Sequence, residues 1–362
     1  MSAAMTQAND PNADSMSAVM FEQADRLFEQ EVTTARLAAA DGGAWQGDIW
    51  RIVEEAGLPL ALIAEDLGGI GLPIQEVLSL IGRSAYRTLP LPLAETIVAG
   101  ALWAEASGDV LGGTISMAPA TVAATRRGDG FVLKGTAAGV PWGNTADHVL
   151  LHLRDEAGAG YLALLPQGSA PATVRRNLAG EPRAMLNLDG LVLAPQLVWP
   201  APAVAADGLL AIGAMIRAKQ MVGAMERALE YGVTYAGERR QFGRTLSKFQ
   251  AIQHMLAEAA GHLAASEAAS ALAGDAYATP SFAFQVAVAK ARSGEAAGKV
   301  AEICHQVHGG MGFTQEHPLH FATRRLWSWR DEFGGEAYWQ ERIGRAVCAD
   351  GGEALWPRLV GA

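Results

Sequence analysis

The sequence predicts an α+β, multi-domain protein with an N-terminal helical domain over residues 18–111, a small middle β domain over 112–200 and a helical bundle over 201–362. Three observations predict it. Residues 18–104 carry apolar positions at helical spacing between glycine and proline turns, residues 112–200 break into short apolar runs, and from Asp207 helical periodicity returns and persists. Residues 1–17 are polar and alanine-rich, lack the basic-then-apolar order of a secretion signal, and are expected to form a disordered leader.

With 362 residues and 50% hydrophobic content, the chain is long enough to bury a large core in two or three packed units. Lys+Arg 28 against Asp+Glu 38 gives a formal net charge of −10 with no basic run, which argues against nucleic acid or an anionic membrane as the main partner. Any phosphate site must be local. The apolar run 209–216 lies between Asp207 and Arg217, far short of the roughly 20 residues a membrane span needs. Cys304 and Cys348 make no disulfide framework, and a reducing cytoplasm fits best.

In the first domain, Phe21, Ala24, Leu27 and Phe28 open one amphipathic helix, and Ile49, Ile52 and Val53 open another that stops at Gly57-Leu58-Pro59. The glycine corner at 65–71 has no strand before it, so the dinucleotide-fold fingerprint fails and a tight turn is expected. In the second domain the strand signals are 131–133, 149–151, 161–165 and 191–193. In the third, Ala218, Val222, Met225, Leu229 and Val233 form one stripe facing into a bundle, and further helices cover about 249–272 and 282–308.

Residues 235–253, YAGERRQFGRTLSKFQAIQ, concentrate cationic, amide and aromatic groups in an otherwise apolar, alanine-rich chain. A polar corner at 239–243 joins two long helices, the second starting at about Ser247. Arg239 offers a planar donor fork suited to phosphate, Gln241 and Gln250 add neutral donors and acceptors, and Phe242 adds a flat apolar face. Together they suit a dinucleotide. Downstream, Gln306-Val-His-Gly309-Gly310-Met-Gly312 ends a helix with three glycines in four positions, which lets a ligand approach the main chain closely. Cys304, His305 and His308 share a helical face, but no fourth group is spaced to complete a metal site, so no metal is expected and His308 is expected to pack beside the glycine turn.

The string R-x-Q-F-G followed by F-Q-A-I-Q-x-x-L-A, the Gln306 glycine motif, and the passage from Ala56-Gly57 through 68–71 to 90–96 resemble the acyl-CoA dehydrogenase family, flavoenzymes that oxidise acyl-CoA thioesters to enoyl-CoA. The resemblance covers nearly the whole chain after about residue 18. It implies the fold of that family, with a four-helix C-terminal bundle, and FAD as cofactor. It further implies that Arg239, Gln241, Phe242, Gln250, Gln306, Gly309 and Gly310 contact an FAD across a subunit interface, the last three at its adenosine half.

Other family features are missing. The two own-domain FAD segments of the family fall at 116–121 and 139–147, and both are degraded; Trp142 there is expected to belong to the core. The family's catalytic glutamate occurs at one of two places, which fall here at Phe333 and Gly213, and the arginine that follows the second is Ala214. Asp331 and Glu332 lie beside the first position and are candidates for the base, although pairing with neighbouring arginines at an interface is the expected role.

This pattern resembles the non-catalytic subunit of heteromeric acyl-CoA dehydrogenases such as the α2β2 enzymes of bacterial steroid side-chain degradation. It implies a glutamate-bearing homologous partner, an acyl-CoA substrate and an electron-transferring flavoprotein as acceptor. The alternatives are a self-sufficient homomeric enzyme using Asp331 or Glu332, and a flavin-free scaffold or acyl-CoA-binding protein.

Overall fold

A computed structural model describes the backbone over residues 11–360 and the side chains over residues 18–357. The N-terminal helices are α1 (Pro11–Glu31), α2 (Thr34–Asp41), α3 (Gly47–Glu55), α4 (Ile74–Tyr86) and α5 (Leu93–Ser107). Of the expected leader, residues 1–10 lie outside the described residues, while Pro11 already opens α1. The Thr33 hydroxyl accepts from the Arg36 N–H and caps α2. Gly57, at φ 71°, turns the chain out of α3 in a left-handed conformation that a side chain would strain. α5 is apolar almost all round and accordingly buried on nearly every side. Glu95 stands in that apolar wall at 2% exposure, so its charge must find a partner inside.

The middle domain holds β1 (Ile115–Arg127), β2 (Gly130–Lys134), β3 (Thr136–Pro141), β4 (His148–Arg154), β5 (Gly160–Pro166), β6 (Ala172–Arg176), β7 (Pro182–Asn187), β8 (Val192–Leu193) and β9 (Val198–Pro200). They form a six-stranded sheet in the order β8-β2-β1-β4-β5-β9 and a three-stranded sheet in the order β3-β7-β6. β1 and β4 run parallel, with a register shift between Met117 and Thr121 that marks a bulge. Val122, Leu133, Leu151 and Leu165 of the larger sheet bury against Val140 and Leu186 of the smaller. The four apolar runs lie in β2, β4, β5 and β8. The remaining strands gave no run to read; β6, for one, is exposed at every position.

The C-terminal part contains α6 (Leu210–Glu238), β10 (Arg240–Gln241), β11 (Arg244–Thr245), α7 (Gln250–Asp275), α8 (Phe282–His308), α9 (Leu319–Trp329), α10 (Glu336–Asp350) and α11 (Leu355–Val360). α8 packs against α6, α7 and α10, which completes a four-helix bundle, and α4 lies along α6. The approach of α4 to α6 requires Gly223, where a β-carbon would stand 2.0 Å from the Gly82 carbonyl oxygen. Two sequence expectations need correction. The α6 stripe leaves the core before its end, because in the last turns the buried face passes through Gly232 and Ala236 and leaves Val233 53% exposed. The polar corner is not a simple loop but a two-strand hairpin whose turn residues, Phe242 (φ 50°) and Gly243 (φ 79°), both take the left-handed conformation of a type I′ turn. No helix among the described residues is long and apolar enough to cross a membrane.

Candidate functional site

The two motifs meet at one end of the bundle. Tyr235, in the last turn of α6, stacks on His308, the last residue of α8, with ring centroids 4.6 Å apart. Arg239 follows Tyr235 by one turn, its N–H bonded to the Tyr235 carbonyl at 2.8 Å, and Gly309 follows His308 directly. The stack therefore ties the hairpin to the glycine turn. His317 adds edge-on contacts to His308 (4.5 Å) and Tyr231 (5.6 Å). Burial lowers the pKa of His305, His308 and His317 below the usual histidine range, so this cluster is neutral and the rings pack without repulsion. His308 does lie beside the glycine turn, its Nδ1 on the Cys304 carbonyl at 2.7 Å, and His305 Nε2 is on the Thr323 hydroxyl at 2.9 Å. Among the described residues no group of three or more His, Cys, Asp or Glu is arranged to hold a metal ion.

Around this stack the named side chains point outward. Arg239, Gln241, Gln250 and Gln306 are exposed, and Phe242 is 91% exposed at the hairpin tip. Gly309, at φ 59°, and Gly310 have open space where a β-carbon would stand. Gln250 begins α7, whose first N–H groups have no side-chain cap. A guanidinium, an uncapped helix N-terminus, a bare glycine backbone and an exposed ring fit one face of an anionic, aromatic-ended dinucleotide. Only one face is supplied.

In the middle domain, Pro119, Ala120 and Thr121 of the first family segment line a cavity of about 910 Å³ together with Leu210, Phe282 and Trp339. The two segments at 116–121 and 139–147 are engaged with each other: the Ser116 hydroxyl donates to the Pro141 carbonyl. Trp142 is 8% exposed and meets Trp45 edge-on at 6.0 Å, a core role.

The two positions of the expected base are in mutual contact. Phe333, 4% exposed, lies on Gly213, where a β-carbon would come within 2.1 Å of its ring. Phe333 itself has φ 53°, and Lys290 of α8 holds the turn around it by donating to the carbonyls of Arg330 (2.6 Å) and Gly334 (2.8 Å). Burial pushes the Lys290 ammonium down to about 8. Trp339 Nε1 donates to the Phe333 carbonyl at 3.0 Å and completes the seal.

Beneath this aromatic plug runs a buried ion-pair network that sequence reasoning missed. Arg217, 1% exposed, donates to Glu332 (2.8 Å) and Glu95 (2.6 Å) and also to Gln220. Arg183 of β7 pairs with Glu332 (2.7 Å) and Glu181 (2.8 Å), and Arg325 of α9 with Glu181 (3.2 Å). Burial disfavours the Glu181 charge, but Arg183, Arg325 and Arg217 outweigh it and lower its pKa to about 2. Glu332 thus pairs with arginines, as expected, but with Arg183 and Arg217 inside the chain and not with its sequence neighbours. Asp331 is exposed. The signal available beforehand was charge inside apolar runs: Arg217 in AIGAMIRAKQM and Glu95 in LAETIV.

The comparisons with known proteins agree with this architecture. Residues 203–347 match the family model described as acyl-CoA dehydrogenase, C-terminal domain. The chain is 28% identical over 292 residues to acyl-CoA dehydrogenase IpdE2 of Mycobacterium tuberculosis, covering 80% of this chain and 83% of that one. In structure it is similar to a chain of the ChsE4-ChsE5 complex from the same organism, with TM-score 0.84, 23% identity and coverage of 94% and 98%. It is similar also to a chain of the Tcur3481-Tcur3483 steroid ACAD G363A variant, with TM-score 0.85, 24% identity and coverage of 93% and 99%. Residues 203–347 thus match the C-terminal domain of acyl-CoA dehydrogenases, and over most of its length the chain is similar to proteins of that name and shares their fold.

Proposed function

We propose that this chain is the base-less subunit of a heteromeric, FAD-dependent acyl-CoA dehydrogenase. Through Arg239, Gln241, Phe242, Gln250, Gln306, Gly309 and Gly310 it holds the outer face of an FAD seated in a homologous partner that carries the catalytic glutamate, in an α2β2 assembly. The observation that carries this is the seal of Phe333 on Gly213: both base positions are filled by one packed contact, while the outward-facing corner stays open.

FAD, when bound, accepts the β-hydrogen of the acyl-CoA as hydride. This chain's part is binding and shielding. Arg239 and the start of α7 offset pyrophosphate charge, Gly309 and Gly310 let a phosphate or ribose reach the main chain, and Phe242 covers an apolar edge and keeps water from it. Glu332, neutralised by Arg183 and Arg217, moves no proton. The two structural neighbours described as a ChsE4-ChsE5 complex and a two-component steroid ACAD support a two-subunit enzyme acting on a steroid side-chain thioester. An electron-transferring flavoprotein as acceptor, and a cytoplasmic location, complete the reading.

The test is purification of the chain alone and together with a glutamate-bearing homologue, followed by flavin stoichiometry and acyl-CoA oxidation. We expect flavin and activity only in the joint preparation. Tight stoichiometric FAD together with acyl-CoA oxidation by the isolated chain rejects the proposal.

A further inference from the structure

The stack of Tyr235 on His308 continues outward. His317 stands edge-on to His308 at 4.5 Å and to Tyr231 at 5.6 Å, so two histidines and two tyrosines form one column that joins α6, the end of α8 and the start of α9. The partners of each ring fix where its hydrogen sits. His308 Nδ1 lies 2.7 Å from the Cys304 carbonyl, which only accepts, so the hydrogen is on Nδ1 and the buried Nε2 is bare and without a hydrogen-bond partner. His317 Nδ1 accepts the Leu319 N–H at 3.2 Å, at the first residue of α9, so its hydrogen is on Nε2. A proton added to His308 therefore leaves a buried N–H unbonded. One added to His317 breaks the bond at the start of α9, where the helix dipole repels a cation.

The surroundings supply no counter-charge. On α6, Arg227 lies over the Tyr231 ring at 4.3 Å, Glu230 is held by Arg227 and Tyr86, and Glu238 is exposed beyond Tyr235. α8 contributes His305 and the Cys304 thiol, and α7 brings Leu256 to the same place, both Cys304 and Leu256 lying against Gly232. Glu316, next to His317, is turned to solvent and bonded to Thr314. Asp41, near His320, is paired with Arg324, and Glu29 of α1 is paired with Arg87. We propose that His308 and His317 form an acid-sensitive latch: neutral, they lock the hairpin at 240–245 to the glycine turn at 309–312, and protonated, they release it. The C-terminal end of α8 favours a cation at His308, but burial outweighs it, and at His317 the neighbouring histidines add to the effect of burial. Both pKa values lie below the ordinary 6.5, so the open corner takes up protons that the closed corner excludes, and the closed form is lost as pH falls below that value. For each histidine the shift toward the open form reaches about tenfold at about pH 5.5. Release of a partner-held FAD on acidification rests on the function proposed above, whereas the latch itself does not.

The test is hydrogen exchange read by mass spectrometry on the full chain without flavin, at about pH 7.5 and about pH 5.5, with intrinsic exchange rates divided out. At the lower pH the native chain is expected to lose protection about tenfold or more in peptides spanning 235–246 and 305–319, while the buried helix α5 keeps its own. His308→Phe preserves a ring on Tyr235, His317→Gln preserves an acceptor for the Leu319 N–H, and neither new side chain titrates. In the double variant the pH dependence should shrink to within about twofold. Equal protection of the native corner at both pH values, a loss shared equally by α5, or an undiminished loss in a double variant that melts like the native chain at neutral pH overturns the latch. The native comparison alone decides where the double variant does not fold. Flavin retention by the joint preparation then reads the consequence: flavin shed at the lower pH by the native pair and kept by the variant pair supports the latch. Flavin kept by the native pair although the corner opens in the lone chain counts against the cofactor role proposed above and leaves the latch standing.

Discussion

The ring of Phe333 rests on the backbone of Gly213, so that a β-carbon there would stand 2.1 Å from ring carbons. Gly213 lies in α6, where alanine ordinarily improves a helix by about 1 kcal/mol. Here the overlap reverses the sign. Gly213→Ala should destabilise the chain by about 1–3 kcal/mol, the usual cost of overpacking. Combining it with Phe333→Leu should cost less than the two changes summed, and a double-mutant cycle by urea denaturation reads that coupling. Additive effects would mean that the two residues do not share this space.

Glu332 is expected to matter for stability and not for proton transfer. Replacing it with glutamine leaves Arg217, 1% exposed, with one fewer anion, and a loss of about 3 kcal/mol follows from breaking one arm of a buried pair. Asp331→Asn should change neither stability nor activity. Bleaching of the flavin by substrate in the joint preparation is the check, and its abolition by either amide would restore a carboxylate of this chain as base.

Arg239 is exposed and makes no ion pair among the described residues, so Arg239→Ala should leave the melting temperature of the isolated chain unchanged. Losing a charge-assisted hydrogen bond to a phosphate costs about 1.5–3 kcal/mol, or roughly tenfold or more in FAD affinity of the joint preparation. Fluorescence of released flavin on dilution measures it.

Glu181 sets an acid limb. Its folded pKa of about 2 lies below the ordinary 4.5, so the unfolded chain binds the proton more readily, and stability present above pH 4.5 is lost as pH falls toward 2. Glu181→Gln should flatten that limb in denaturant titrations between pH 5 and 3. Lys290 acts in the opposite direction. Its pKa falls from 10.5 to about 8, so the unfolded chain holds more protons between those values and stability rises with pH across that window. Lys290→Met should remove this rise, and an unchanged alkaline slope would show that Lys290 is not its source.

The sequence alone made much of the candidate site legible, because its signals are local. Arg239-x-Gln-Phe-Gly and the glycines at 309–312 are strings whose chemistry can be read without knowing their neighbours, and the missing carboxylates at Phe333 and Gly213 are visible as letters. The helices and the apolar strands announce themselves by period. The stacking of Tyr235 on His308, the seating of Phe333 on Gly213 and the joining of Arg217, Glu332, Arg183 and Glu181 were decided only by tertiary packing. Each links residues far apart in the chain, and periodicity carries no record of which distant segment a side chain will face. A buried charge in an apolar run states that a partner exists; the fold alone selects which one.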